Sequence, residues 1–221
     1  MSVNSFKIEK IKADLLNDFG KVFIPQFARS PLKSLSTLVL LFVFIISGIA
    51  QNTIELNIGD TVAEFSTLDE NGSEWKSENV TSPFLVVYFY PAAMTGGCTK
   101  QACAYRDDKA SFDELGVTVV GVSGDEVQNL KHFKDSYQLN FRLLSDNEGV
   151  ISTIFGVPTG KGGSITREIE GENYELVRGI TTPRWTYVLD KDRKIIYKNA
   201  DVDAVEDAKN VKNVIREYLK G

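Results

Sequence analysis

Apolar positions in residues 51–221 fall into two kinds of run. Phe84–Tyr90 (FLVVYFY) and Val117–Ser123 (VTVVGVS) are continuous, β-branched and aromatic, the pattern of strands buried on both faces. Thr186–Asp190 (TYVLD) and Lys194–Lys198 (KIIYK) flank Lys191-Asp192 and predict a hairpin. Phe65–Leu68 and Glu74–Trp75 flank the turn signal Asp69-Glu70-Asn71-Gly72 and predict another. Elsewhere the spacing is helical. Val127, Leu130, Phe133 and Tyr137 form one apolar stripe, and Ala204, Ala208, Val211, Ile215 and Tyr218 form a second. Cys98–Leu115 reads as one further helix, closed by Gly116. Pro158–Pro183 keeps no clean period and predicts a hairpin or a long loop, acting as a lid or partner surface. Buried strands alternating with amphipathic helices, then a hairpin and a last helix, imply an α/β sandwich whose central sheet is covered on both faces.

A different pattern precedes this body. Ser34–Ile54 holds no charged residue, and Leu38–Ala50 (LVLLFVFIISGIA) is almost wholly apolar. Arg29 and Lys33 lie ahead of it and Gly48-Ile49-Ala50 offers a small-x-small cleavage site, so the segment reads as an export signal. The apolar core is short beside the ~20 residues that cross ~30 Å of hydrocarbon, yet the whole uncharged window spans if it is not cleaved. The chain therefore divides into a basic leader (1–33), a signal core or single membrane anchor (34–50) and a globular domain (51–221). Either alternative makes the domain exported or membrane-anchored, with membrane contact through residues 34–54. The long stretch before the core also fits a start site placed too early. A buried core helix is the weaker reading, because no polar stripe interrupts the run.

Charge and composition narrow the chemistry. The chain carries 25 Lys and Arg against 30 Asp and Glu, a net charge of −5. The leader is basic, so residues 51–221 hold 19 Lys and Arg against 27 Asp and Glu. A body this acidic is a poor nucleic-acid binder, since phosphate contacts need a basic face. The sequence has one histidine, His132, and two cysteines, Cys98 and Cys103. That excludes a His-rich metal site and a four-thiolate zinc or iron–sulfur site, and no metal or cofactor is expected. A Ser-His-Asp hydrolase would have to be built around His132, which lies beside Lys131 on the polar side of its helix and reads as solvated.

The cysteine pair remains. The loop Pro91–Gly97 leaves the end of the FLVVYFY strand and enters the helix that starts at Cys98, the place where sheets of this class carry reactive groups. First-turn N–H groups lack intrahelical acceptors and carry partial positive charge, so a thiolate is favoured there and is the nucleophilic form. Thr95 can offer its hydroxyl to the sulfur or to a bound oxygen. On a regular helix, residues five apart are turned by about 140° and their Cα atoms lie roughly 8.6 Å apart. A disulfide needs less than about 7 Å, so the two cysteines bond only if the helix unwinds. Packing as a small hydrophobic thiol is a fair alternative for Cys103, between Ala102 and Ala104, and a poor one for Cys98.

Pro91-Ala92-Ala93-Met94-Thr95-Gly96-Gly97-Cys98 resembles the Pro-x-x-x-Thr-x-x-Cys motif of the peroxiredoxins. The following TKQACAYRD, with Cys103, looks like the Q-type or bacterioferritin-comigratory subgroup, and Arg184–Asp190 (RWTYVLD) is similar to its Arg-x-Thr-Phe-Val-Ile-Asp segment. The resemblance covers roughly residues 54–220. It implies a thioredoxin-like fold with a central mixed sheet, a monomer, and a thiol peroxidase acting on hydrogen peroxide and organic hydroperoxides. By position, Cys98 is the peroxidatic cysteine and Thr95 the hydrogen-bonding hydroxyl. Pro91 shields the pocket, and Arg184 is the cation beside the sulfur. Cys103 is the resolving cysteine of an intramolecular disulfide, reopened by a thioredoxin-like reductant. Two positions depart: Gly96 stands where the family usually has Pro, and Ala63-Glu64 replaces the usual Ala-Pro.

Three functions compete on the residues themselves: a thiol peroxidase, a thiol-disulfide exchanger, and a copper-handling or redox-sensing module of the same fold. A thiol-disulfide exchanger usually carries Cys-x-x-Cys, against the x4 spacing here. A copper-handling module wants Cys-x-x-x-Cys and a distant His ligand, which His132 does not supply. A redox sensor needs the same activated thiol as a peroxidase and stays open. Trp185 reads as core or pocket wall, and the acidic residues along 201–207 as a solvated helix start.

Overall fold

The computed structural model describes residues 55–221, so the leader and the signal or anchor segment lie outside the described residues. Among the described residues no helix is long and apolar enough to cross a membrane. In chain order the elements are β1 (Ser66–Leu68), β2 (Glu74–Lys76), β3 (Phe84–Phe89), α1 (Gly96–Asp107), α2 (Lys109–Glu114), β4 (Val117–Ser123) and α3 (Val127–Tyr137). They continue with β5 (Arg142–Ser145), α4 (Val150–Phe155), β6 (Gly160–Ile169), β7 (Glu172–Thr181), β8 (Trp185–Asp190), β9 (Ile195–Asn199) and α5 (Asp207–Tyr218).

The central sheet has the order β5-β4-β3-β8-β9. Its β3, β4 and β5 run parallel, while β8 and β9 are antiparallel additions, so the sheet is mixed. Side chains of β3 alternate between two cores, as the pleat demands. Phe84, Val86 and Tyr88 meet α1, α2, α3 and α5 on one face. Leu85, Val87 and Phe89 meet α4 and the N-terminal strand region on the other. All six β3 residues are buried, which is why the sequence shows an unbroken apolar run and no alternation. Gly121 in β4 answers the bulk of Tyr88: a Cβ there would lie 2.6 Å from the tyrosine oxygen.

Two sequence expectations need correction. The helix anticipated over Cys98–Leu115 is two helices, starting at Gly96 and broken at Asp108, whose φ of −90° and ψ of 4° leave the helical region. β5 and α4 were not anticipated, because each is short, four and six residues, and buries only part of its length. Residues 158–183 form the hairpin β6–β7, turning through Glu170 and Gly171 at positive φ. This hairpin lies against the body: Glu126 N donates to Val177 O, and Gly179 N donates to Gly124 O. His132 is half-buried, with its ring 4.5 Å from that of Tyr174 on the hairpin, and is therefore less solvated than its polar setting suggests.

Candidate active site

The sheet register assembles the site. Phe89, the last residue of β3, pairs with Trp185, the first of β8. Arg184 therefore lies beside the point where β3 gives way to the loop Tyr90–Thr95. Three elements pin that loop. Ala93 N donates to the Asp125 carboxylate at 2.7 Å, Thr182 Oγ1 donates to Tyr90 O at 3.1 Å, and Arg167 Nε on β6 donates to Met94 O at 2.9 Å. Met94 takes the left-handed conformation (φ 60°), which turns the chain into α1. Burial pushes the Asp125 carboxyl up, against the bonds from Ala93 N and Ser123 that favour its charged form.

Thr95 is the N-cap of α1, but its side chain makes no cap hydrogen bond and donates to Ala92 O at 2.9 Å. The hydroxyl expected to face the sulfur is thus spent as a donor on the loop, and its lone pairs remain to accept. The first-turn N–H groups stay unsatisfied by the cap, so the positive end of α1 is uncovered around Cys98. Cys98 itself is 2% exposed and Pro91 is half-buried at the strand end.

Arg184 bridges helix and strand. Its Nη2 lies 3.4 Å from Cys98 Sγ, and its Nη1 donates to Gln101 Oε1 at 2.6 Å. Gln101 Nε2 in turn donates to Asp207 Oδ2 at 2.7 Å. Tyr105 OH and Thr186 Oγ1 donate to the same oxygen at 2.7 and 2.8 Å. Gly97 is needed for this approach, since a Cβ on it would sit 3.0 Å from Arg184 Nη2. Asp207 corrects the reading of residues 201–207 as a solvated helix start: it is 1% exposed, and burial pushes its carboxyl up against the pull of its three donors. Tyr88 and Tyr90 bury their hydroxyls without partners among the described residues. Burial pushes the Tyr88 phenol well up.

Cys103 is half-buried on the same helix, and both cysteines are free. The structure thus brings Arg184 to Cys98, places Thr95 at the cap of the same helix and Pro91 at the end of β3, and holds Cys103 five residues further along α1. Sequence reasoning missed Gln101 and Asp207. Gln101 was within reach, three residues after Cys98 and so on the same helix face. Asp207 is 106 residues from Gln101, and no local pattern reports that contact. A cavity of about 430 Å³ lined by Lys109, Lys134, Phe141 and Arg142, among others, contains neither cysteine. Among the described residues no group of three or more His, Cys, Asp or Glu is placed to hold a metal ion.

Comparison with known proteins identifies the family. Residues 58–198 match the AhpC/TSA family. The chain is 33% identical over 190 residues to chloroplastic peroxiredoxin Q of Arabidopsis thaliana, covering 85% of this chain and 76% of that one. It is 36% identical over 152 residues to a putative peroxiredoxin of Mycobacterium tuberculosis, covering 69% and 90%. The crystal structure of peroxidoxin BcpB from Mycobacterium tuberculosis superposes with a TM-score of 0.62 at 32% identity, covering 74% of this chain and 98% of that one. PrxQ from Xylella fastidiosa superposes with a TM-score of 0.62 at 22% identity, covering 75% and 98%, a likeness of fold. The architecture is thus the thioredoxin-like α/β fold with a mixed central sheet. With an electropositive helix start and an arginine framing one buried cysteine, and with these relatives, the chain belongs to the AhpC/TSA family as a peroxiredoxin of the Q type, a peroxidase of the oxidoreductase class.

Proposed function

We propose that Cys98 reduces hydrogen peroxide and organic hydroperoxides and that Cys103 resolves the product. The Cys98 thiolate attacks one peroxide oxygen; the O–O bond breaks, the sulfur becomes a sulfenic acid, and the other oxygen leaves as water or an alcohol after taking a proton. The observation that carries this reading is the approach of Arg184 Nη2 to Cys98 Sγ at 3.4 Å at the start of α1. A guanidinium there favours the ionised sulfur and the charge that builds on the oxygens as the bond breaks. Thr95 accepts a hydrogen bond from the peroxide O–H, its own proton being held by Ala92 O. Pro91 limits water at the mouth of the pocket.

Cys103 then attacks the sulfenic sulfur, water leaves, and an intramolecular disulfide forms. A thioredoxin-like dithiol returns two electrons and reopens it. On regular α1 the two Cα atoms lie roughly 8.6 Å apart, so this step requires the helix to unwind between them. The protein acts as a monomer, checked by sedimentation. The uncharged stretch 34–54 supports an exported or membrane-anchored setting, checked by N-terminal sequencing of the mature chain.

The test is peroxide-dependent loss of free thiol. The natural chain loses both thiols in its first turnover and continues only with a dithiol reductant. Cys98→Ser abolishes consumption. Cys103→Ser reacts once and then stalls or over-oxidises; normal cycling of that variant with the same reductant overturns the resolving role. Thiol loss without turnover in the natural chain supports a sensor instead.

A further inference from the structure

The proposed reaction uses Cys98, Thr95, Pro91, Arg184 and Cys103, and leaves Asp207 unexplained. It is a carboxylate 1% exposed, with three donors on Oδ2 and no partner for Oδ1 among the described residues. Among the described residues no lysine or arginine touches it directly. A group so expensive to bury is better replaced by an apolar residue unless its acceptor character has a use.

That use is visible in Gln101. A glutamine amide has a donor end and an acceptor end, and either can face either way. Carboxylate oxygens are acceptors, so Asp207 draws the Gln101 NH2 toward itself and leaves Oε1 as the end that faces Arg184. The guanidinium is a planar fork, so holding Nη1 on Gln101 Oε1 fixes the direction of Nη2, which is the atom beside Cys98 Sγ. Without Asp207 the amide is free to turn its NH2 to the arginine, and two donors then face each other.

We propose that Asp207 is a positioning residue, which through the Gln101 amide holds the Arg184 guanidinium against Cys98. The inference rests on the reaction above and adds a coupling to it. Gln101 lies between Cys98 and Cys103, so the unwinding that joins the cysteines withdraws its side chain from Asp207 and Arg184 together. The chain Asp207–Gln101–Arg184 therefore exists while Cys98 waits for peroxide and is dismantled as the disulfide forms.

The experiment is done in the full chain carrying Cys103→Ser, which isolates Cys98, with iodoacetamide and hydrogen peroxide as separate probes. Asp207→Leu slows both reactions by about tenfold or more, while Asp207→Asn, which keeps an acceptor for the same donors, stays within about threefold of the parent. Unfolding midpoints are measured alongside. A lowered midpoint with unchanged reaction rates in Asp207→Leu means a merely structural carboxylate and overturns the proposal. A parent inert to peroxide, with Asp207→Leu still slowing alkylation, sinks the peroxidase reading and leaves the positioning role standing. Should Asp207→Leu fail to fold, Gln101→Glu places two buried carboxylates in contact and slows Cys98. Adding Asp207→Asn to Gln101→Glu restores an amide–carboxylate pair and the rate; no recovery overturns the proposal.

Discussion

Arg184 serves two acceptors at once, Gln101 Oε1 at 2.6 Å and Cys98 Sγ at 3.4 Å, with different nitrogens of one fork. A lysine has the charge without the fork. Arg184→Lys therefore keeps the fold and lowers the rate of Cys98 with hydrogen peroxide by about 10- to 100-fold, followed by stopped-flow fluorescence in the Cys103→Ser background. Gly97→Ala tests the same contact from the other side. The added methyl meets Arg184 Nη2 at 3.0 Å, and the guanidinium is held by Gln101 and cannot retreat without loss. A fall of about three- to tenfold in the same assay is expected, with little change in unfolding midpoint; an unchanged rate means that the arginine yields freely.

At the scale of the element, the proposed resolution by Cys103 requires α1 to be stable enough to present Cys98 and weak enough to open. Its first residue, Gly96, is the departure from the family's usual Pro. Thr95 already has the extended conformation (φ −100°, ψ 151°) that a residue before proline adopts, and a Cβ on Gly96 meets nothing within 4 Å. Proline is favoured at the first helical position. Gly96→Pro is therefore expected to raise stability by roughly 0.5–1 kcal/mol, measured by urea unfolding of the reduced protein. Because the start of α1 would have to unwind for the proposed Cys98–Cys103 disulfide, the same variant is expected to slow disulfide formation relative to sulfenic acid formation. The natural chain, once oxidised, shows less helix by circular dichroism and faster amide exchange over residues 98–104 than the reduced form. Equal helix content in both forms contradicts the unwinding.

At the scale of the molecule, buried carboxylates tie distant elements together and give stability a pH dependence of mixed sign. Glu70, in the β1–β2 turn, reaches Lys134 on α3 at 2.9 Å, Arg142 on β5 at 2.8 Å and Leu143 N at 3.1 Å. Burial works against its charge, but the bonds from Lys134 and Leu143 N outweigh that and hold its carboxyl below its ordinary 4.5. A lowered folded value means a contribution present above the unfolded value and lost as pH falls through the folded one. Asp125, Asp146 and Asp207 are raised by burial, so their contributions run the other way and fade as pH rises through their folded values. Glu70→Gln is therefore expected to cost roughly 1–3 kcal/mol at neutral pH, and progressively less as pH falls below the ordinary carboxylate range. Urea titrations at several pH values check this, and a deficit independent of pH would mean that charge plays no part.

How much was legible follows from the range of each interaction. β3 and β4 were visible because burial on both faces leaves an unbroken apolar run, and α3 and α5 because burial on one face leaves a stripe. β5 and α4 were too short to show a period, and the break at Asp108 carries no proline or glycine to mark it. The Pro-x-x-x-Thr-x-x-Cys spacing, the distal Arg-x-Thr and a helix start close to the cysteine were set by local sequence, so the candidate cysteine and the family resemblance could be read directly. That Asp207 is buried and not solvated, and that Gln101 joins it to Arg184, depended on the pairing of β3 with β8 and the packing of α5 on α1. Those contacts join residues about 80 to 110 positions apart, and only the closing of the sheet and the docking of the last helix bring them within hydrogen-bond reach.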